Sequence, residues 1–268
     1  MRLIATDLDG TLLGPGGTLS QRNVDALRAA KDAGWYVVLA SGRPPFMIVP
    51  LMDRLSDAVT HGVLANGSVV CTLPDMATLR SVRFGVSMAV DVVHQLRSID
   101  SGYGFAMATD AGFAHESGFA ERMPAEQPMP MSTDVLTAAE GASEAIKLMV
   151  FHEHHTAHQL LDLLPPLLDD ALAVTHMGAD CVEIGPAGID KATALSWLCA
   201  HLQVDSRDVV AFGDEYNDHE MLRWAGLGIA MGNANQLTRD LADQVTSANT
   251  DDGVAVALER LVADGWHS

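Results

Sequence analysis

The chain has 268 residues, 48% of them hydrophobic, with a formal net charge of −19 and a pI near 4.7. That is ample apolar material for a sizeable core and leans towards two domains. The acidic field disfavours nucleic acid and anionic membrane surfaces as partners, so any site for an anionic ligand has to be built locally, from a metal, a lysine and backbone N–H groups. No window of about 18 or more apolar residues occurs, so no transmembrane helix is predicted. A strand-like run already begins at residue 3, without a signal-peptide layout, which predicts the cytoplasm. Cys71, Cys181 and Cys199 are odd in number and far apart, which predicts buried reduced thiols and no disulfide framework.

In chain order, Leu3-Ile4-Ala5 reads as a buried strand that runs into Thr6-Asp7-Leu8-Asp9-Gly10-Thr11. In an open parallel sheet, ligands bind outside the carboxyl ends of strands, which puts Asp7 and Asp9 at an active-site rim. There they can share a divalent cation and divide nucleophilic and proton-transfer work. Residues 12–19 hold Gly14, Pro15, Gly16 and Gly17 and predict a hairpin or flap. Ser20 is the expected N-cap of a helix whose apolar face is Val24, Leu27 and Ala30 and which ends at Gly34. A β-rich run over 35–40 precedes Ser41-Gly42-Arg43-Pro44-Pro45, whose prolines suit the first turn of a new helix, kinked or shortened by Pro50. A third strand over 63–65 meets a turn at Asn66-Gly67 before Val69-Val70. The βαβαβ order predicts an α/β, doubly wound (Rossmann-like) parallel sheet.

From about residue 82 the texture changes. A helix over 87–99, short strands over 104–108 and 113–116 and a Pro- and Met-rich loop over 123–133 are predicted. A strand over 145–151, a helix over 158–168 and a hairpin over 172–177 and 181–184 follow. The α/β texture then resumes with a helix over 190–201, a strand over 209–212, a helix over 218–224, a strand over 227–230, a helix over 235–241, a short strand over 244–246 and a closing helix over 253–262. The expected organisation is a core of residues 1–81 and 186–268, split by an inserted α+β cap over 82–185.

Four pieces carry the chemistry: Asp7-Leu8-Asp9-Gly10-Thr11, Ser41-Gly42-Arg43, Lys191 and Gly213-Asp214-Glu215-Tyr216-Asn217-Asp218. Together they resemble the haloacid dehalogenase (HAD) superfamily, specifically its Cof-type phosphatases with a large α+β cap of type IIB between the second and third pieces. The likeness runs nearly the whole length. It includes Asn66-Gly67, the approach Gly188-Ile189-Asp190-Lys191, the segment Gly228-Ile229-Ala230-Met231-Gly232-Asn233-Ala234 and Asp251-Asp252-Gly253-Val254.

The resemblance implies a role for each residue. Asp7 would attack phosphorus to form an aspartyl phosphate, and Asp9 would protonate the leaving alcohol and later take a proton from the hydrolytic water. Thr11, Ser41, Gly42, Arg43, Asn66, Lys191 and Asn217 would bind phosphate or substrate, with backbone N–H groups of Gly42 and Arg43 at a helix start. Mg2+ is the expected cofactor, held by Asp7, Asp214 and the backbone carbonyl of Asp9, with Asp218 holding a metal-bound water or orienting Lys191. Lys191 sits against the helix dipole in a first turn, which favours a functional over a solvent-facing lysine, while Glu215 reads as structural.

Other signals read as ordinary structure. His152-Glu153-His154-His155, with His158 beyond, predicts a solvated polar turn and no metal site. Gly226, Gly228 and Gly232 miss the spacing of a dinucleotide fingerprint. The Met-rich run 123–131 predicts an adaptable loop, and His115, Lys147, His176 and Asp180 are expected at the surface.

The expected activity is magnesium-dependent hydrolysis of a small phosphorylated metabolite, a sugar phosphate or similar compound, by phosphoryl transfer. The alternatives are a phosphotransferase or mutase using the same aspartyl phosphate, and a non-catalytic phosphate-binding module. The oligomeric state is not set by the sequence.

Overall fold

The computed structural model describes residues 1–122, 133–176 and 180–263. The loop expected over 123–133 lies outside them except for Thr133, as do the Met-rich run and the Met177 end of the expected hairpin. The chain forms two compact units, one of Met1–Ser81 together with the chain from Asp190 onward, the other of Val82–Ile189. Among the described residues, no helix is long and apolar enough to cross a membrane.

The first unit opens with β1 (Leu3–Thr6), every residue of which is buried, as the unbroken apolar run of a parallel strand covered on both faces requires. Helix α1 (Gln21–Asp32) is capped by Ser20, whose side chain accepts from the Asn23 N–H, and it buries Val24, Leu27 and Ala30. After β2 (Tyr36–Ala40) the expected helix is replaced by two 3-10 turns, Pro45–Met47 and Val49–Leu51, and a single α turn, α2 (Met52–Leu55). Pro44, Pro45 and Pro50 lack N–H groups and push the residue before each away from helical geometry, so no longer helix survives there. Strand β3 (His61–Leu64) lies parallel to β2, but β4 (Val69–Thr72) and β5 (Thr78–Ser81) are antiparallel. The four residues between β3 and β4 are too few for a crossover, which forces a hairpin at this edge.

The second unit holds β6 (Phe84–Gly85), α3 (Val86–Ile99), β7 (Tyr103–Thr109), β8 (Phe113–His115), α4 (Val135–Ala139), β9 (Glu144–His152), α5 (Ala157–Leu163), β10 (Leu172–His176) and β11 (Val182–Pro186). Its antiparallel sheet runs β10-β11-β9-β7-β8, with β6 beside β9. Helices α3 and α5 cover one face through Val93, Leu96 and Leu160, packed on Phe105, Leu148, Val150 and Val182. Helix α5 starts at a capping box of Thr156 and Gln159 and gives way to a 3-10 turn at Pro165–Leu167, shorter than the predicted 158–168, because the two prolines end it. Strands β5 and β6 and helix α4 are not legible in the sequence: they are short, and β5 is an edge strand with no apolar alternation.

Back in the first unit come α6 (Lys191–Leu202), β12 (Val209–Gly213), α7 (His219–Trp224), β13 (Leu227–Ala230), α8 (Gln236–Leu241), β14 (Gln244–Val245) and α9 (Gly253–Ala263). The sheet order is β14-β13-β12-β1-β2-β3-β4-β5, parallel from β14 to β3. Ile4, Val37, Leu39 and Phe212 face α1 and α9 on one side, and Leu3, Ala5, Val38 and Ala211 face α6 and α7 on the other. The winding reverses at β1, between β2 and β12, and that switch point is where an open α/β sheet presents its ligand crevice.

Candidate active site

The carboxyl ends of three neighbouring strands deliver the site. Asp7 follows β1, Asp214 follows β12 and Ser41 follows β2, while Lys191 is the first residue of α6. Lys191 is 1% exposed, and its Nζ donates to Asp7 Oδ1 at 2.6 Å and to Asp218 Oδ1 at 2.7 Å. Helix α6 can start with a lysine because Asp190 caps it reciprocally with Thr193, meeting the free N–H groups that the lysine does not. Asp218 Oδ2 accepts the backbone N–H groups of Asp214 at 3.0 Å and Glu215 at 3.1 Å, so this carboxylate orients Lys191 and braces the loop. Thr11, fully buried, donates its hydroxyl to Asp214 Oδ1 at 2.8 Å. Gly10 has φ +81°, and a Cβ there would stand 2.2 Å from Asp214 Oδ2. The glycine therefore serves both the turn and the close approach of the second carboxylate.

Asp7, Asp214 and Asp218 bring one carboxylate oxygen each within 4.8 Å of one another, and among the described residues no other set of His, Cys, Asp and Glu does so. Burial pushes the Asp7 carboxyl well up, against the pull of Lys191, and the charges of Asp218, Asp214 and Asp9 push the same way. Burial, then Asp218, raises Asp214 to about 7. For Lys191, burial favours the neutral amine, but Asp218 and Asp7 outweigh it and the ammonium is held more firmly than usual. Three carboxylates around one ammonium leave an excess of negative charge. The donors are hard oxygens, the set that Mg2+ prefers, and Asp7 and Asp214 are the residues with oxygens left to ligate it.

The remaining predicted residues fall around this cluster. The Asp9 side chain does not join it: Arg43 grips it, Nε donating to Oδ2 at 2.8 Å and Nη2 to Oδ1 at 2.5 Å. Ser41 is 1% exposed, and its Oγ accepts the Arg43 N–H at 3.1 Å. That bond, and the absence of a helix after residue 43, correct the expectation that the Arg43 N–H points from a helix start towards a ligand. Asn66 has φ +52°, is buried, and accepts at Oδ1 from Asn217 Nδ2 at 3.0 Å, joining the β3 and β12 loops. At Gly67, φ is +100° and a Cβ would lie 2.3 Å from the Asp190 carbonyl oxygen, so this turn packs directly on the start of α6. Gly42 lies beside Asn66. Glu215 is the N-cap of the 3-10 turn Tyr216–Asp218, as its structural reading expects.

Two asparagines outside the predicted set hold the Asp9–Leu13 turn. Asn233 Nδ2 donates to the Gly10 carbonyl and Asn249 Nδ2 to the Leu13 carbonyl, both at 2.8 Å, and the Asn249 N–H donates to Asn233 Oδ1 at 2.9 Å. Asn233 stood inside a segment quoted for its resemblance, but only the fold reveals which carbonyl it meets.

In the second unit, His115 and Lys147 are buried, not at the surface. Lys147 pairs with the equally buried Glu183 across β9 and β11, and His115 packs against the rings of Phe113 and Phe119. His176 and Asp180 lie further out, half-buried and exposed. His152 also departs from its expected place in a solvated turn: it is 3% exposed, its ring lies 4.6 Å from that of Tyr103 and its Nδ1 accepts from the His154 N–H. The three cysteines are buried free thiols.

A doubly wound core with paired aspartates after its first strand, and a buried lysine bridging two of the strand-end carboxylates, defines a class of hydrolase. Residues 4–258 match the family model of the haloacid dehalogenase-like hydrolases, and the chain belongs to that family. Pyridoxal phosphate phosphatase YbhA of Escherichia coli is 31% identical over 95% of this chain and 96% of its own length. The 5-amino-6-(5-phospho-D-ribitylamino)uracil phosphatase YitU of Bacillus subtilis is 30% identical, over 96% of each chain. Among solved structures, a haloacid dehalogenase-like hydrolase from Bacteroides thetaiotaomicron superposes with a TM-score of 0.80 at 29% identity, covering 97% of this chain and 99% of the other.

Proposed function

We propose that this chain is a magnesium-dependent phosphatase that hydrolyses a small phosphorylated metabolite through an aspartyl phosphate on Asp7. The observation that carries the reading is the setting of Asp7 at the switch point, with Oδ1 bound by Lys191 and Asp214 alongside. Lys191 fixes the carboxylate plane, which leaves Oδ2 to attack phosphorus. As that bond forms, the bond from phosphorus to the ester oxygen breaks, and Asp9 gives the departing oxygen its proton. Water then attacks the phosphorus of the acyl phosphate, Asp9 takes the proton of that water, and Asp7 and inorganic phosphate are regenerated. Ser41, Asn217 and the ammonium of Lys191 are the groups that would hold the phosphoryl oxygens. Bound by Asp7 and Asp214, Mg2+ would supply neutralising charge for those oxygens.

We read the unit of Val82–Ile189 as the cap that selects the organic part of the substrate. The named activities of the two relatives favour phosphate esters of small polar molecules, heterocyclic or polyol, alongside the sugar phosphates.

The test is phosphate release from pyridoxal phosphate, the ribitylaminouracil phosphate and a set of sugar phosphates, with Mg2+ or with EDTA, for wild type and Asp7→Asn. Release that requires Mg2+ and vanishes in a folded Asp7→Asn variant is expected. Undiminished release by that variant would overturn the mechanism.

A further inference from the structure

We propose that Arg43 is a positioning residue for Asp9, aiming the carboxylate that transfers protons, and that it is not a ligand of the phosphoryl group. The inference rests on the phosphatase reading above. Two observations carry it. The guanidinium meets the carboxylate as a fork, with both Asp9 oxygens and two different nitrogens of Arg43 engaged, a geometry that fixes the plane of the carboxylate as well as its position. The Arg43 backbone is itself anchored on both sides: its N–H donates to Ser41 Oγ, and its carbonyl accepts the Ala65 N–H at 2.9 Å.

The exposures point the same way. The Asp9 side chain is 45% exposed and that of Arg43 only 11%, so the mobile partner is the carboxylate and the fixed one is the arginine. A half-exposed carboxylate on a short turn would otherwise sample several rotamers, yet the reaction needs it at one point twice, first towards the leaving oxygen and then towards water. The positive charge beside the nucleophile is already provided by Lys191, which Asp7 and Asp218 hold in place.

The experiment compares Arg43→Ala and Arg43→Lys, each in wild-type and Asp9→Asn backgrounds. Turnover of the best alkyl phosphate from the panel is measured together with the dissociation constant of inorganic phosphate, with thermal melting as the control for folding. If Arg43 acts through Asp9, Arg43→Ala lowers kcat by about 10- to 100-fold with KM unchanged. The phosphate dissociation constant does not move, and Arg43→Lys does not restore kcat, because an ammonium cannot make the fork. In the Asp9→Asn background, the same substitution changes kcat by less than about twofold. Weakened phosphate binding, rescue by lysine, or an equal loss in both backgrounds would overturn the proposal. A wild type that releases phosphate from nothing would overturn the phosphatase reading itself, a result reached before any Arg43 variant is made.

Discussion

Gly10 and Asp214 come from opposite ends of the chain and touch: a Cβ on Gly10 would stand 2.2 Å from Asp214 Oδ2 and 2.8 Å from its Cγ. Gly10→Ala should therefore displace the carboxylate or the turn, with added strain of about 1–3 kcal/mol from a positive φ in alanine. A shift of about 1 Å in a reacting group costs about 100-fold, so kcat should fall by at least that factor. Mg2+ affinity, measured by titration of the folded variant, should fall with it.

Lys191 is the sole ammonium among three buried carboxylates, and its side chain is fully buried. Lys191→Met leaves Asp7 and Asp218 without a counter-charge, and breaking a buried pair in this way costs about 3–5 kcal/mol. Urea unfolding at neutral pH without divalent cations should show that loss. Phosphate release should disappear in the same variant.

The raised Asp214 carboxyl makes stability depend on pH in a definite direction. Its folded value, about 7, lies above the usual 3.8, so the folded state holds a proton that the unfolded chain has released. The contribution is fully present below about 4 and is lost as the pH rises through about 7. Asp7, also raised, acts in the same sense. Melting temperatures of the EDTA-treated protein should fall between pH 5 and pH 8, and Mg2+ should raise them most at the alkaline end, where it competes with fewer protons. A metal-free melting temperature that climbs over this range would contradict the charge balance derived for the site.

Lys147 and Glu183 form a buried pair on β9 and β11, within the second unit. Removing one charge alone, as in Lys147→Met, should cost about 3–5 kcal/mol. Lys147→Met combined with Glu183→Leu should recover most of that loss. The coupling is read from chemical denaturation of the four proteins of the cycle.

Most of the first unit was legible in the sequence, because its strands are continuous apolar runs covered on both faces and its helices begin at recognisable caps such as Ser20. The chemistry was legible for a related reason. Asp7, Lys191 and Asp214 stand at strand ends or a helix start, where spacing along the chain fixes position, so residue type and order were enough to nominate them. What the sequence could not convey is partnership across the fold. Lys191 finds Asp7 across 184 positions, Asn233 finds the Gly10 carbonyl across 223, and Arg43 closes on Asp9 across 34. Each of these contacts depends on which strands lie side by side, and that order is set only when the sheet is wound. Burial was decided there too. Lys147 and His152 carry the polar character of surface residues, but the sheet of the second unit encloses them, and only a partner or a packed ring makes such burial tolerable. The sequence determined which groups are available and where each element begins. Long-range packing decided which oxygen of which aspartate meets which cation.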